Sequence, residues 1–312
     1  MNFAVVATAA SIAVLGLVAV APPASAKEVP EVQVRHAVAR MVVIVEDRAD
    51  VAVEIEGGTA GLPRPTVTRR GDEIRIDGEL GRNSTRECHS GSSQARQPGE
   101  GASVEVRGKG RVDLSAAPLI VVRTPRQVDV EVQDGAVFGA IGRGANRVGI
   151  SNGGCGHWTV ANVNGPLDVS IMGSGDLRAG TSSDLDANIM GSGNLYAGST
   201  GDLDANIMGS GDMVLGSARG LDANVMGSGD IRLASINGPV NASVPGSGNI
   251  IIAAGRASSL SANIMGSGDI DVRGAAGSVS ANIMGSGDIR VISASGPISQ
   301  TTMGSGRVRV GS

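Results

Sequence analysis

The sequence predicts an all-β fold, a parallel β-helix whose rungs are 18–20 residues long and carry Gly-Ser-Gly-Asp at one corner. Three observations predict it. The triplet Gly-Ser-Gly starts at Gly173, Gly191, Gly209, Gly227, Gly246, Gly266, Gly285 and Gly304, so the spacings are 18, 18, 18, 19, 20, 19 and 19. The apolar residues around every triplet share one parity. Aromatic residues are 1% of the 312 residues while Gly reaches 48, so the interior must be filled by small aliphatics rather than rings.

The parity fixes the faces. Six residues before each first glycine stand Leu167, Leu185, Leu203, Leu221, Val240, Leu260, Val279 and Ile298. Two before it stand Ile171, Ile189, Ile207, Val225, Val244, Ile264, Ile283 and Thr302; four after it stand Leu177, Leu195, Met213, Ile231, Ile250, Ile270, Ile289 and Val308. Strand side chains alternate with period 2, so these positions point inward and the Asp, Asn, Ser and Arg between them point outward. Each rung therefore reads as two short strands joined at the Gly-Ser-Gly bend, where a Cβ would clash or φ must be positive. The second bend, as in Gly180 to Asp184, varies in length and is looser. A rung this short cannot bury its apolar face alone and must stack on its neighbours in parallel register. A sandwich would need hairpin turns instead of a fixed period, and a propeller blade is about twice as long.

In chain order, residues 1–26 read as a signal peptide: an apolar run ending in Pro22, Pro23, Ala24, Ser25 and Ala26, with the mature chain starting at Lys27. No later apolar run approaches the roughly 20 residues that span a bilayer, so no transmembrane segment is expected in the mature chain. The protein is expected to be exported, to the periplasm or the cell surface. Residues 27–150 read as irregular first rungs, with β-rich runs at Met41 to Glu46, Asp50 to Ile55, Glu73 to Asp77, Val104 to Arg107, Pro118 to Val122 and Gln127 to Val132. Between them, 81–103 reads as a surface excursion rich in Ser, Gln and Gly. Residues 151–312 are the regular repeats, opening with a degenerate rung at Ser151, Asn152, Gly153 and Gly154.

Function has to sit on the outward columns. One is Met172, Met190, Met208, Met226, Met265 and Met284, interrupted by Pro245; it reads either as a docking stripe or as thioethers folded over the corner. Another is Asp176, Asp212, Asp230, Asp269 and Asp288, with Asn194 and Asn249 between them, which either satisfies backbone donors at the corner or binds a ligand. Calcium is one such ligand, by analogy with nonapeptide rolls, although here the period is 18–20 and the Asp directly follows the second glycine, so the sequence leaves open whether the column binds it. Cys88 and Cys155 are a disulfide candidate in an oxidising compartment, and the spacing leaves open whether they pair. Cys155, Gly156 and His157 lack the further ligands a metal site requires, so no metal and no cofactor is assigned.

The net charge of -4 is interspersed and offers no basic stripe, which excludes nucleic acid as a partner. An enzyme acting on polysaccharide needs clustered acid and base groups and sugar-stacking rings. After residue 26 only Phe138, Trp158 and Tyr196 are aromatic, so this remains the alternative to a non-enzymatic scaffold binding an envelope protein or a glycan.

The unit Met-Gly-Ser-Gly-Asp-Ile, as in Met265 to Ile270, preceded by Leu-x-Ala-x-Ile, as in Leu260 to Ile264, resembles the bacterial family called putative auto-transporter adhesin, head GIN domain. So does the segment from Arg40 to Leu80, with its Val-x-Val-x-Ile and the run Gly71 to Ile76. The resemblance covers most of the mature chain. It implies an exported, single-stranded, right-handed β-helix with an adhesin-like role and no catalytic residues to carry over.

Overall fold

The computed structural model describes residues 29–91 and 97–311. The expected signal peptide lies outside the described residues. The described chain is a solenoid of stacked parallel strands, as the period requires, with one 3-10 turn at Leu114–Ala116.

Two sheets run the length of the stack. The sheet before the corner passes through Arg147–Asn152, Leu167–Ile171, Asp184–Ile189 and Asp202–Ile207 and on to Ile298–Thr302. The sheet after the corner passes through Trp158–Val160, Leu177–Ala179 and Leu195–Ala197 to Val308–Val310. Register is identity on identity: Leu185 faces Leu203, Ala187 faces Ala205, and Ile189 faces Ile207. The inward columns are buried, with Ile171, Ile189, Ile207, Leu177 and Leu195 all at 0% exposure. Burying such a side chain stabilises by about 1.5–3 kcal/mol, and the stack repeats that gain in every rung. In the later rungs the second bend becomes a short third face, where Ala218 pairs with Ile236 and Ala257 with Ala276, all four buried.

The corner glycines are required by stacking, not by φ. A Cβ on Gly209 would lie 1.9 Å from the carbonyl oxygen of Gly191, and one on Gly227 would lie 1.8 Å from that of Gly209. Those carbonyls accept the N–H of the next rung's serine, as Ser210 donates to Gly191 at 3.1 Å. Of the first glycines of the triplets only Gly304 has positive φ, so close backbone approach decides the residue type.

The N-terminal half departs from the expected plan in three ways. Chain order and stacking order differ: Glu31–Arg35 lies between Glu73–Asp77 and Gln127–Val132, and Ala37–Val45 lies between Leu119–Thr124 and Gly135–Ile141. The first strands of the chain thus form an inner rung, not the end of the stack. Two of the expected runs are not rungs. Asp50 to Ile55 falls in Ala52–Glu56, which runs antiparallel to Leu119–Thr124, and Thr66–Arg70 runs antiparallel to Glu73–Asp77, so both sheets end in reversed strands. Val104 to Arg107 belongs instead to a separate three-stranded antiparallel sheet of Thr85–His89, Ser103–Val106 and Gly110–Asp113. The excursion expected at 81–103 therefore continues through Asp113. It has an apolar underside, and Val104, Val106, Val112 and Leu114 pack on Val38, Ala136 and Phe138 of the solenoid's outer surface.

Candidate functional site

The outward columns occupy the faces that parity assigns them. Met172, Met190, Met208, Met226, Met265 and Met284 project along the corner and are each roughly half exposed, whereas Met41 and Met213 are inside. The acidic column forms a hydrogen-bonded ladder. The Oδ1 of Asp176 accepts the N–H of Asn194 at 2.9 Å, Asn194 accepts that of Asp212, Asp212 that of Asp230, Asp230 that of Asn249, Asn249 that of Asp269, and Asp269 that of Asp288. Arg232 adds contacts to Asp212 and Asp230, and Arg290 pairs with Asp288. The ladder gives each corner a side-chain acceptor for an N–H that the next strand leaves unpaired. Asn and Asp serve it equally because each presents one such oxygen. Among the described residues no cluster of three or more His, Cys, Asp or Glu is arranged to hold a metal ion.

A second acidic row stands on the sheet before the corner. Arg147 donates to Asp129 at 2.6 Å and to Asp168 at 2.7 Å, spanning Gly149, whose missing side chain leaves room for Asp129. Beyond the reach of Arg147, Asp186 and Asp204 face each other across the rungs, each accepting from its own Asn188 or Asn206. Burial, helped by repulsion from Asp204 and Asp168 and opposed by the Asn188 bond, raises the Asp186 carboxyl above the usual aspartate range.

A cleft lies where the antiparallel layer meets the solenoid. It has a volume of about 410 Å³ and runs between Ser90, Gly91 and the segment from Gln97 to Glu100 on one side and two outward rows of the solenoid on the other. The first row is Phe138, His157 and Asp176; the second is Ala140, Thr159 and Arg178. Cys88 of the antiparallel layer is joined to Cys155 of the solenoid by a disulfide, which ties the overhanging wall to the rung that carries His157. Asn152 supports that rung from inside. It is fully buried where the later rungs place Ile or Val, donates to the Gly156 carbonyl at 2.8 Å and accepts the Gly154 N–H at 3.3 Å.

The rings of the first row are stacked, Phe138 on His157, with centroids 5.6 Å apart and planes 13° from parallel. Burial holds the His157 imidazole below its usual pKa; Asp176, 3.8 Å away, works against that shift and Arg178 with it. Arg178 lies over the Tyr196 ring at 5.2 Å, and Tyr196 and Val214 carry the same row along a shallow groove. Trp158 points the other way, into the core, where Gly139 makes room for its ring.

Of the residues singled out from the sequence, the structure thus brings Asp176 into the cleft, uses Cys88 and Cys155 to join its walls, and leaves the methionines and the other aspartates outside it. The motif reading missed Phe138, His157, Thr159, Arg178 and Tyr196. The signal was present, because Phe138, His157 and Asp176 are spaced by 19 and 19 residues and so fall in one outward column.

The family model for the putative auto-transporter adhesin, head GIN domain, matches residues 34–235 and 217–311. The chain belongs to this family. Among solved structures, this head GIN domain protein is similar to a putative lipid binding protein from Parabacteroides distasonis, with 18% identity over 90% of this chain and 92% of that chain and a TM-score of 0.41. No curated protein matches the chain. No helix among the described residues is long and apolar enough to cross a membrane.

Proposed function

We propose that the protein is an exported, non-catalytic β-solenoid of the cell envelope that acts as an adhesin-like binding scaffold, and that the cleft beneath the antiparallel layer is where it binds. The carrying observation is the cleft itself: a disulfide-tied overhang facing stacked rings, a carboxylate, a hydroxyl and a guanidinium. Small-molecule sites favour such junctions, and about 410 Å³ lies within their usual size range. Membership of a family described as an adhesin head supports binding over catalysis. The rest of the stack then serves as a stiff spacer, since its ladders use most outward polar groups on their own neighbours.

The test is cell fractionation followed by capture of isolated envelope polysaccharide on the immobilised chain, with reducing-end release followed in the same samples. Capture without release is expected, together with weaker capture by a chain carrying Asp176→Asn and Arg178→Thr. Release of reducing ends by the wild type, abolished in that variant, would replace the scaffold by a polysaccharide-active enzyme.

A further inference from the structure

Taking the cleft as the binding site, as proposed above, we infer that it recognises a neutral polyhydroxylated ring, a hexose unit of a glycan. Donors and acceptors in the cleft are of every kind a sugar hydroxyl can use. The Asp176 ladder bond occupies Oδ1, and Oδ2 lies on the His157 side, 3.8 Å from Nδ1. Arg178 makes no ion pair among the described residues; its guanidinium face covers Tyr196 and its N–H edge is left to donate. Thr159 supplies a hydroxyl that both donates and accepts. The neutral imidazole favoured at His157 does the same through its two nitrogens.

Asp176 and Arg178 stand two residues apart on consecutive outward positions of one chain segment, so an acceptor and a donor are presented side by side. Adjacent hydroxyls on a pyranose ring each donate and accept, and can engage both groups at once. The opposite charges offset each other, which removes the advantage an anionic ligand would draw from an isolated arginine. The part-exposed His157 ring, held flat against the buried Phe138, adds the ring surface that the apolar C–H face of a sugar covers.

Isothermal titration of the full exported chain with the methyl glycosides of glucose, galactose, mannose and N-acetylglucosamine, beside methyl glucuronide and methyl galacturonide, tests this. One or more neutral glycosides should bind at one site per chain, and Arg178→Thr and Asp176→Asn should each weaken that binding about tenfold, the loss of one charge-assisted hydrogen bond. Both variants should fold, because Thr159 holds the Arg178 row one rung earlier and Asn194 and Asn249 already serve the ladder. Unchanged circular dichroism and melting temperature check this.

Preference for the uronides, or no binding by any neutral glycoside, would overturn the ligand class. Equal affinity in the wild type and both variants would place the sugar elsewhere and overturn the assignment. These outcomes differ from failure of the cleft as a binding site, which would appear as full capture of envelope polysaccharide by the double variant.

Discussion

The rungs after Leu167 and the region before Arg147 obey the same parity, yet they spend their outer surfaces differently. In the regular rungs outward polar side chains contact one another: the Asp and Asn ladder from rung to rung, and within a strand the Asp186–Asn188 and Asp204–Asn206 pairs and the arginine contacts to Asp230 and Asp288. In the N-terminal region the outer surface of Ala37–Val45 and Gly135–Ile141 is apolar apart from Arg40, with Val38, Ala136 and Phe138 buried beneath a second layer. Repetition makes a surface that satisfies itself. Breaking the repetition gives the molecule a concave, chemically mixed cleft.

The largest expected effect tests the regular half. Ile207→Asp places a carboxylate at a fully buried position and should cost several kcal/mol, whereas the neighbouring Asn206→Asp loses only an exposed hydrogen bond to Asp204 and should cost about 1 kcal/mol. Equal shifts would reverse the faces.

Next comes the joint between the regions. Replacing Cys88 and Cys155 by Ser should destabilise the antiparallel layer by about 2–4 kcal/mol and leave the solenoid folded. Hydrogen exchange should then quicken at Val104 and Val106 while Leu185 to Ile189 stay protected. Loss of protection in both together would mean that the two regions unfold as one unit.

A smaller effect measures the ladder. Asp269→Ala leaves the Asp288 N–H without its acceptor and should cost about 1–2 kcal/mol, while Asp269→Asn keeps the bond and should be near neutral. A comparable loss in both would show that charge, not the hydrogen bond, matters there.

The smallest concerns Asp186. Its carboxyl is raised in the folded chain, so the folded state holds the proton more tightly and the associated stability is present below the ordinary aspartate value of 3.8 and lost as pH rises through the raised one. Asp186→Asn should therefore raise the melting temperature slightly near neutral pH and have no effect in acid below 3.8. A stabilisation that persists in acid would trace to packing instead.

Sequence alone determined the solenoid, its period, its faces and the register of the later rungs, because each inward position is repeated and stacking alike on alike is the only way to bury all of them. It also placed Asp176 outward and supplied Cys88 and Cys155. Tertiary structure decided what has no repeat: that Glu31–Arg35 and Ala37–Val45 slot inside the stack, that Val104 belongs to a separate layer, and that Phe138, His157, Asp176 and Arg178 share a cleft with Gln97 to Glu100. Those contacts join segments far apart in the chain. Their strands are short and apolar like any rung, so local pattern does not distinguish a strand that continues the stack from one that reverses on its end or covers its side.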